Sequence, residues 1–301
     1  MRSSRSWASR GIRLLGALAL CAAAGVSATA DDFRIVSEIY LGDEAEPRST
    51  NRTLFRAGVV YDYLDQPGLT TVFDPARHRF LLLDPETKLR CVVDTKQVAE
   101  FNAALRQRAA DHVDPLLKFM AKPQFTLDPA PPDGKLVMTS PLMSYRLKTE
   151  RIKSPAALRQ YIEFSDWYAQ LNTMVNPGSP PPFARLEVNR QLSARGEMPV
   201  EVQLTISVHQ QTGGNREVVL LSRHEVAWRL LGEDRQAIEQ TADEMATFKQ
   251  VTFNEFQSRG NALAGAPPAP NGEDAPEPKP AAERSAVRRA SGTEPASKRR
   301  K

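Results

Sequence analysis

Cysteine is almost absent from this 301-residue chain, with two in all. Cys21 falls in an N-terminal stretch that reads as a cleaved leader, so Cys91 alone remains in the mature chain and no internal disulfide can form. No Cys-x-x-Cys and no zinc-ligand spacing occurs, so the fold must rest on its own apolar core. Cys91 sits in the apolar run Leu89 to Val93 and reads as a small buried hydrophobe rather than a reactive thiol. Histidine is equally scarce, with four copies: His78, His112, His209 and His224. There is no His-Glu-x-x-His, no Gly-x-Ser-x-Gly and no glycine-rich phosphate loop. Catalytic groups converging from distant segments stay open, because triads are recognised by geometry rather than by order. The expectation is nevertheless a non-enzyme with no metal and no cofactor.

Long apolar runs are missing too, apart from Leu14 to Val26. That run is shorter than the roughly 20 apolar residues a bilayer span needs. It follows Arg2, Arg5, Arg10 and Arg13 and precedes Ala28-Thr29-Ala30. A basic start, a short apolar middle and small residues before the cut make a secretory signal peptide over residues 1–30, with cleavage after Ala30. Leu18-Ala19-Leu20-Cys21 also approaches a lipobox, although Leu20 is bulkier than the small residue expected before the acceptor cysteine. The expected destination is the periplasm or cell envelope, with lipid anchoring at Cys21 as the alternative.

A concentrated basic face is the last absence. The formal net charge is +4, but the leader contributes four arginines and no acid, and the segment 259–301 contributes nine basic against five acidic residues. The body is therefore mildly acidic, and specific nucleic-acid binding is not expected. The segment 259–301 is rich in Ala, Pro and charge and has little to bury, so it reads as a disordered tail. Its terminal Lys298-Arg299-Arg300-Lys301 could touch an anionic envelope component or remain simply solvated.

What is present is a β-meander. Asp74, Asp84 and Asp94 recur every ten residues, and the first two precede proline. Asp accepts from backbone amides just ahead of it and proline presets φ, so each Asp-Pro ends a strand and begins a reversal. Phe33 to Leu41 alternates as a half-buried strand, and Thr53 to Leu64 reads as another, with Phe55, Ala57, Val59, Tyr61 and Tyr63 on one face. Asn51-Arg52-Thr53 matches a glycosylation sequon. Asp94-Thr95-Lys96-Gln97 fits a capping box that opens a helix through Val98, Phe101 and Leu105. Pro115 breaks or kinks that segment.

Short strands are predicted near Gln124–Leu127, Lys135–Thr139 and Met143–Thr149. Ser154-Pro155 starts a largely buried helix with a stripe through Leu158, Tyr161, Ser165, Tyr168 and Leu171. Phe183 to Leu192 resumes helix. Val200 to Val208 alternates strictly, Thr212-Gly213-Gly214-Asn215 turns, and Arg216 to Leu230 returns. Centring on the two glycines pairs His209 with Val218 and His224 with Gln203, which argues against a shared metal site. Ser222 and His224 interrupt the apolar parity of the return strand. Either a β-bulge shifts register there or the two polar groups line a cavity. A final helix is expected from Glu233 to about Gln257.

Val59-Val60-Tyr61-Asp62-Tyr63, the strand Leu69 to Asp74, the Asp-Pro turn and Phe80 to Pro85 resemble the early sheet of the periplasmic lipoprotein-carrier superfamily, the LolA/LolB-like proteins. The resemblance covers about Phe33 to Asp94. It implies an unclosed antiparallel half-barrel lidded by helices, with a cavity that holds acyl chains. The expected architecture is thus one α+β domain over 31–258: a curved antiparallel sheet with helices packed on one face. The expected role is an exported, non-catalytic binding protein for an apolar ligand such as a lipid or lipoprotein acyl chain. Phe55, Val59, Tyr61, Leu220 and Trp228 are the candidate lining, against ordinary core packing for each. The competing class is an envelope structural or interaction protein with a solid core and a partner-contacting tail.

The leader reading has a direct check. Intact mass and N-terminal sequencing of the exported protein are expected to start at Asp31, and a diacylated N-terminus at Cys21 would contradict it.

Overall fold

The computed structural model describes residues 31–66, 68–129, 135–209 and 215–263. The leader, the glycine turn at 212–214 and the segment 264–301 lie outside the described residues. Six strands come first: β1 (Phe33–Leu41), β2 (Ser49–Arg56), β3 (Val59–Leu64), β4 (Leu69–Asp74), β5 (Arg79–Asp84) and β6 (Leu89–Asp94). Helices α1 (Thr95–Ala110) and α2 (Pro115–Ala121) follow, then β7 (Thr126–Leu127), β8 (Leu136–Thr139) and β9 (Met143–Arg151). Next come α3 (Pro155–Val175), α4 (Phe183–Arg195), β10 (Glu197–His209) and β11 (Asn215–Ala227). The described chain closes with α5 (Gly232–Thr247), β12 (Lys249–Gln250) and α6 (Phe253–Leu263). All twelve strands join one unclosed, curved sheet in the order β12-β6-β5-β4-β3-β2-β1-β11-β10-β9-β8-β7. Every pairing is antiparallel except β12 on β6. Both edges are two-residue strands, which limits the unpaired backbone offered to another chain.

The aspartate rhythm has the expected cause. Asp74 accepts from the Arg77 amide at 3.3 Å and from its guanidinium at 2.9 Å. Asp84 accepts from the amides of Glu86 and Thr87 at 3.0 and 3.1 Å and from the Thr87 hydroxyl at 2.6 Å. Asp94 caps α1 in a capping box whose return bond, Asp94 N–H to Gln97 Oε1, is 3.1 Å. The single strand expected over Thr53 to Leu64 is instead a hairpin. Ala57 and Gly58 take φ of +50° and +80°, the double left-handed turn whose twist suits a two-residue β-hairpin. The reversal pairs Phe55 with Val60 and exchanges the parity of everything after it.

Two other expectations change. His209 pairs with Asn215, and Gln203 with Leu221, a register three residues away from that of a turn centred on the two glycines. No bulge interrupts β11, which pairs in step with β1 through Ser222, His224 and Val226. The register shift lies across the sheet between Pro199 and Glu201 of β10, and proline there cannot donate to the ladder. The single final helix is likewise broken. Phe248 turns extended, the amides of Lys249 and Val251 donate to the carbonyls of Lys88, just before β6, and Arg90, within it, and Thr252 with Glu255 caps α6. Helix α6 runs to Leu263, five residues beyond the expected domain end.

Helices cover both faces, not one. On the main face, Phe33, Phe55, Phe73, Phe80, Cys91 and Val93 pack with α1, α3 and α6, while Met138, Tyr145, Leu147, Val202 and Ile206 pack with α2 and α4. Helix α5 lies on the reverse face, where Leu54, Tyr61, Tyr63, Val72, Leu81 and Leu83 meet Ile238, Met245 and Phe248. Electrostatics sends it there. Asp234 is fully buried and accepts from Arg34 at 3.2 Å, from Arg52 at 3.3 Å and from the Leu231 amide at 2.8 Å. Tyr63 and Thr241 share a hydrogen bond of 2.9 Å. A buried carboxylate held by two arginines fixes the first turn of α5 against β1 and β2.

The main core makes a stability prediction. Phe80 is fully buried and its ring centroid lies 4.7 Å from that of Phe73. Phe80→Ala is expected to cost about 3–5 kcal/mol in urea unfolding, and Val113→Ala, at a position 91% exposed, within about 0.5 kcal/mol. A mild effect at Phe80 would contradict the packing described.

Candidate functional site

The two apolar clusters of the main face do not merge. The strands between them carry polar residues on that face: Ser37 on β1, Asn51 and Thr53 on β2, and Ser222 and His224 on β11. The ladder sets Ser37 directly opposite both His224 and Asn51. Above this floor, α3 and α4 present Tyr161, Ser165, Tyr168 and Arg185. A pocket of about 260 Å³ lies between floor and roof, with Ile35, Ile39, Phe55 and Phe164 as its apolar walls. His224 also lines a neighbouring cavity of about 780 Å³, bounded by Ile152, Met198, Val200, Val226 and Trp228 with charged residues at its margin. That volume is in the range of small-molecule sites. Trp228 is 51% exposed and its ring lies 5.5 Å from Phe33, so the core reaches the rim through a pair of aromatics.

Each polar group on the floor is held. His224 Nδ1 is 2.8 Å from Ser37 Oγ, and Nε2 is 3.1 Å from Ser222 Oγ. Burial, aided by the positive charge of Arg185, pulls the imidazole down to about 4, so it is neutral at physiological pH. Asp62 is buried beside the floor, where Thr53 donates to it at 2.6 Å and Asn51 at 2.7 Å. Its second oxygen has no partner at full hydrogen-bond geometry, and the Tyr168 phenol supplies only a weaker contact. Desolvation raises the Asp62 pKa, and the adjoining negative charge raises that of Tyr168. The Asn51 amide that the sequon would offer is thus committed to Asp62. On the roof, Arg185 Nη2 donates to Tyr161 at 3.1 Å and to Ser165 at 3.3 Å. Asn189 donates to Ser165 at 3.0 Å and to Asp166 at 2.7 Å.

This arrangement is suited to holding a polar group and poorly suited to acyl transfer. A serine–histidine pair needs a carboxylate on the second ring nitrogen to set the tautomer and stabilise the imidazolium. Here both nitrogens face serines, and an imidazole with a pKa of about 4 is a weak base. Among the described residues no group of three or more His, Cys, Asp or Glu side chains could hold a metal ion. Cys91 is buried in the main core with its pKa raised to about 11 by desolvation.

Of the candidate lining residues, Phe55 walls the smaller pocket and Trp228 the larger cavity. Val59 and Tyr61 lie on the reverse face against α5, because the Ala57-Gly58 turn exchanged their parity. Leu220 points to the main face, opposite Leu204 and Leu41, away from both openings. Tyr161 and Ser165 read from sequence as part of the buried stripe of α3 rather than as site residues, and Arg185 on α4 carries no local signal. Ser37 and His224 carried a usable signal, since each breaks an apolar parity on its strand.

The histidine makes a pH prediction. Its native pKa of about 4 lies below the ordinary 6.5, so between these values the unfolded chain binds the proton and the native one does not. Its contribution is present at neutral pH and lost as pH falls through that window. Asp62 and Asp166, with raised pKa values, act in the opposite sense, but they are common to wild type and variant. In urea unfolding at about pH 7 and about pH 4.5, wild type is expected to lose more stability than His224→Asn. Equal losses would contradict a neutral, desolvated imidazole.

No protein-family model matches the sequence, and no curated protein does. Among solved structures, the chain is similar to a LolA superfamily protein from Nitrosomonas europaea. The two are 8% identical with a TM-score of 0.27, over 68% of this chain and 89% of that one.

Proposed function

We propose that this is an exported, non-catalytic binding protein that holds the apolar chain of an amphipathic ligand, such as a lipid or a lipoprotein acyl chain, in the seam between its two main-face cores. The observation that carries the reading is the seam itself. Two well-packed clusters on one face of one sheet are separated by a pocket, and His224 is shared between that pocket and a larger cavity lined by half-exposed Trp228. A chain laid there would exchange water for Ile35, Ile39, Phe55 and Phe164. About ten buried methylenes contribute roughly 8 kcal/mol, from which the entropy of association is subtracted. An envelope interaction protein with a solid core would need no such opening. The leader supports export to the periplasm or envelope, and a contact of the basic tail with an anionic envelope component is part of the proposal.

The test is native mass spectrometry and organic extraction of the full chain, exported from its own leader and purified without detergent. One acyl-bearing molecule per protein is expected. A protein that is folded, free of lipid and unable to take up a fluorescent fatty acid would overturn the reading.

A further inference from the structure

The roof of the pocket carries a positive charge that no carboxylate of the described residues contacts directly. Arg185 projects from the first turn of α4 into the seam and is only partly exposed. Its partners among the described residues are the neutral hydroxyls of Tyr161 and Ser165, both through Nη2. It makes no ion pair with a carboxylate of the described residues, although twelve such bridges form elsewhere. Two carboxylates lie in the same region, Asp62 and Asp166, and Asp166 is near enough to Arg185 to interact with its charge through space without a direct ion pair. Asp166 accepts from Asn189 at 2.7 Å, and Asp62 accepts from Asn51 and Thr53. Facing Arg185 across the pocket are Ser222, His224 and Ser37, none of them negatively charged.

A half-buried guanidinium whose planar fork meets no carboxylate directly matches the carboxylate or phosphate of a ligand. Hydroxyl donors complete an anion's remaining lone pairs. Beside these groups stand Phe55, Phe164, Ile35 and Ile39. We propose that the ligand is an anionic single-chain amphiphile whose carboxylate or phosphate head is bound by Arg185, with Tyr161, Ser165, Ser222 and His224 around it and the acyl chain running along the aromatic wall. This rests on the binding reading above and specifies its ligand: the head group is inside the seam rather than in solvent.

The experiment is calorimetric titration of the full chain with three lipids of one chain length: lauric acid, monolauroyl lysophosphatidate and uncharged monolauroylglycerol. At least one anionic lipid is expected to bind about tenfold or more tightly than the monoglyceride, a difference of about 1.4 kcal/mol, with added salt eroding that advantage. Whichever anionic head binds better identifies carboxylate or phosphate. Arg185→Gln is expected to remove the advantage by weakening the anionic lipids more than the monoglyceride. If that variant fails to fold, the head-group preference of wild type and its salt dependence decide. Equal affinity for all three lipids, or equal weakening of all three by a folded Arg185→Gln, would overturn this proposal and leave the binding reading standing. Binding of none would overturn both.

Discussion

Everything distinctive about this molecule depends on the ladder between β1 and β11. It pairs Arg34 with Ala227 at one end and Leu41 with Leu220 at the other, joining segments almost two hundred residues apart in sequence. On one side β1 holds the meander through β2; on the other β11 holds the hairpin and the short strands beyond it. Without this ladder there would be two modest sheets, each with an exposed edge and its own helices. With it there is one sheet long enough to curve, carrying two cores on a shared face. Closing so long a loop adds only slowly to the entropy cost, but it delays the contacts that offset it. The meander and its helices are therefore the part expected to form early, with β11 arriving late.

The same ladder writes the chemistry of the seam. It sets Ser37 against His224 and Ile39 against Ser222, so the strands where the cores would otherwise meet carry hydroxyls, an imidazole and, through β2, an amide. Polar groups on a buried face are expensive unless satisfied. Most here are satisfied by one another: Ser37 and Ser222 by His224, and Asn51 and Thr53 by Asp62. Helix α3 spans both cores, with Ile162 packed against each, while the polar stretch below it stays open. The reverse face follows another logic. There one buried carboxylate, Asp234, and two arginines of the sheet hold α5, and the seam is untouched.

Local signals in the sequence were legible wherever one residue decides the backbone. Asp84 and Asp94 identify their turns and caps, Ser154 caps α3, and the alternation of Val202, Leu204 and Ile206 marks β10. The reading failed where two weak signals compete. Ala57-Gly58 reads as part of a strand because alanine rarely takes a positive φ, yet Gly58, three residues past Phe55, marks the turn that sends Val59 and Tyr61 to the reverse face. Helical periodicity alone carries α5 through Phe248, whereas the Thr252-x-x-Glu255 capping box starts a separate helix. The seam could not be read at all from local pattern. It requires the β1–β11 register, and the residue that gives it charge, Arg185, is one of several arginines on an amphipathic helix until the fold places it beneath α3.

The central claim is that the seam between α3, α4 and the β1–β11 floor is an open binding site rather than a packing fault that closes in solution. A crystal structure of the protein isolated from its natural export route without detergent tests this most directly. The account predicts elongated density along Phe55 and Phe164, with its polar end within hydrogen-bond distance of Arg185. A structure in which Tyr161, Ser165 and Arg185 close onto Ser222 and His224, leaving no space between helix and sheet, would contradict it.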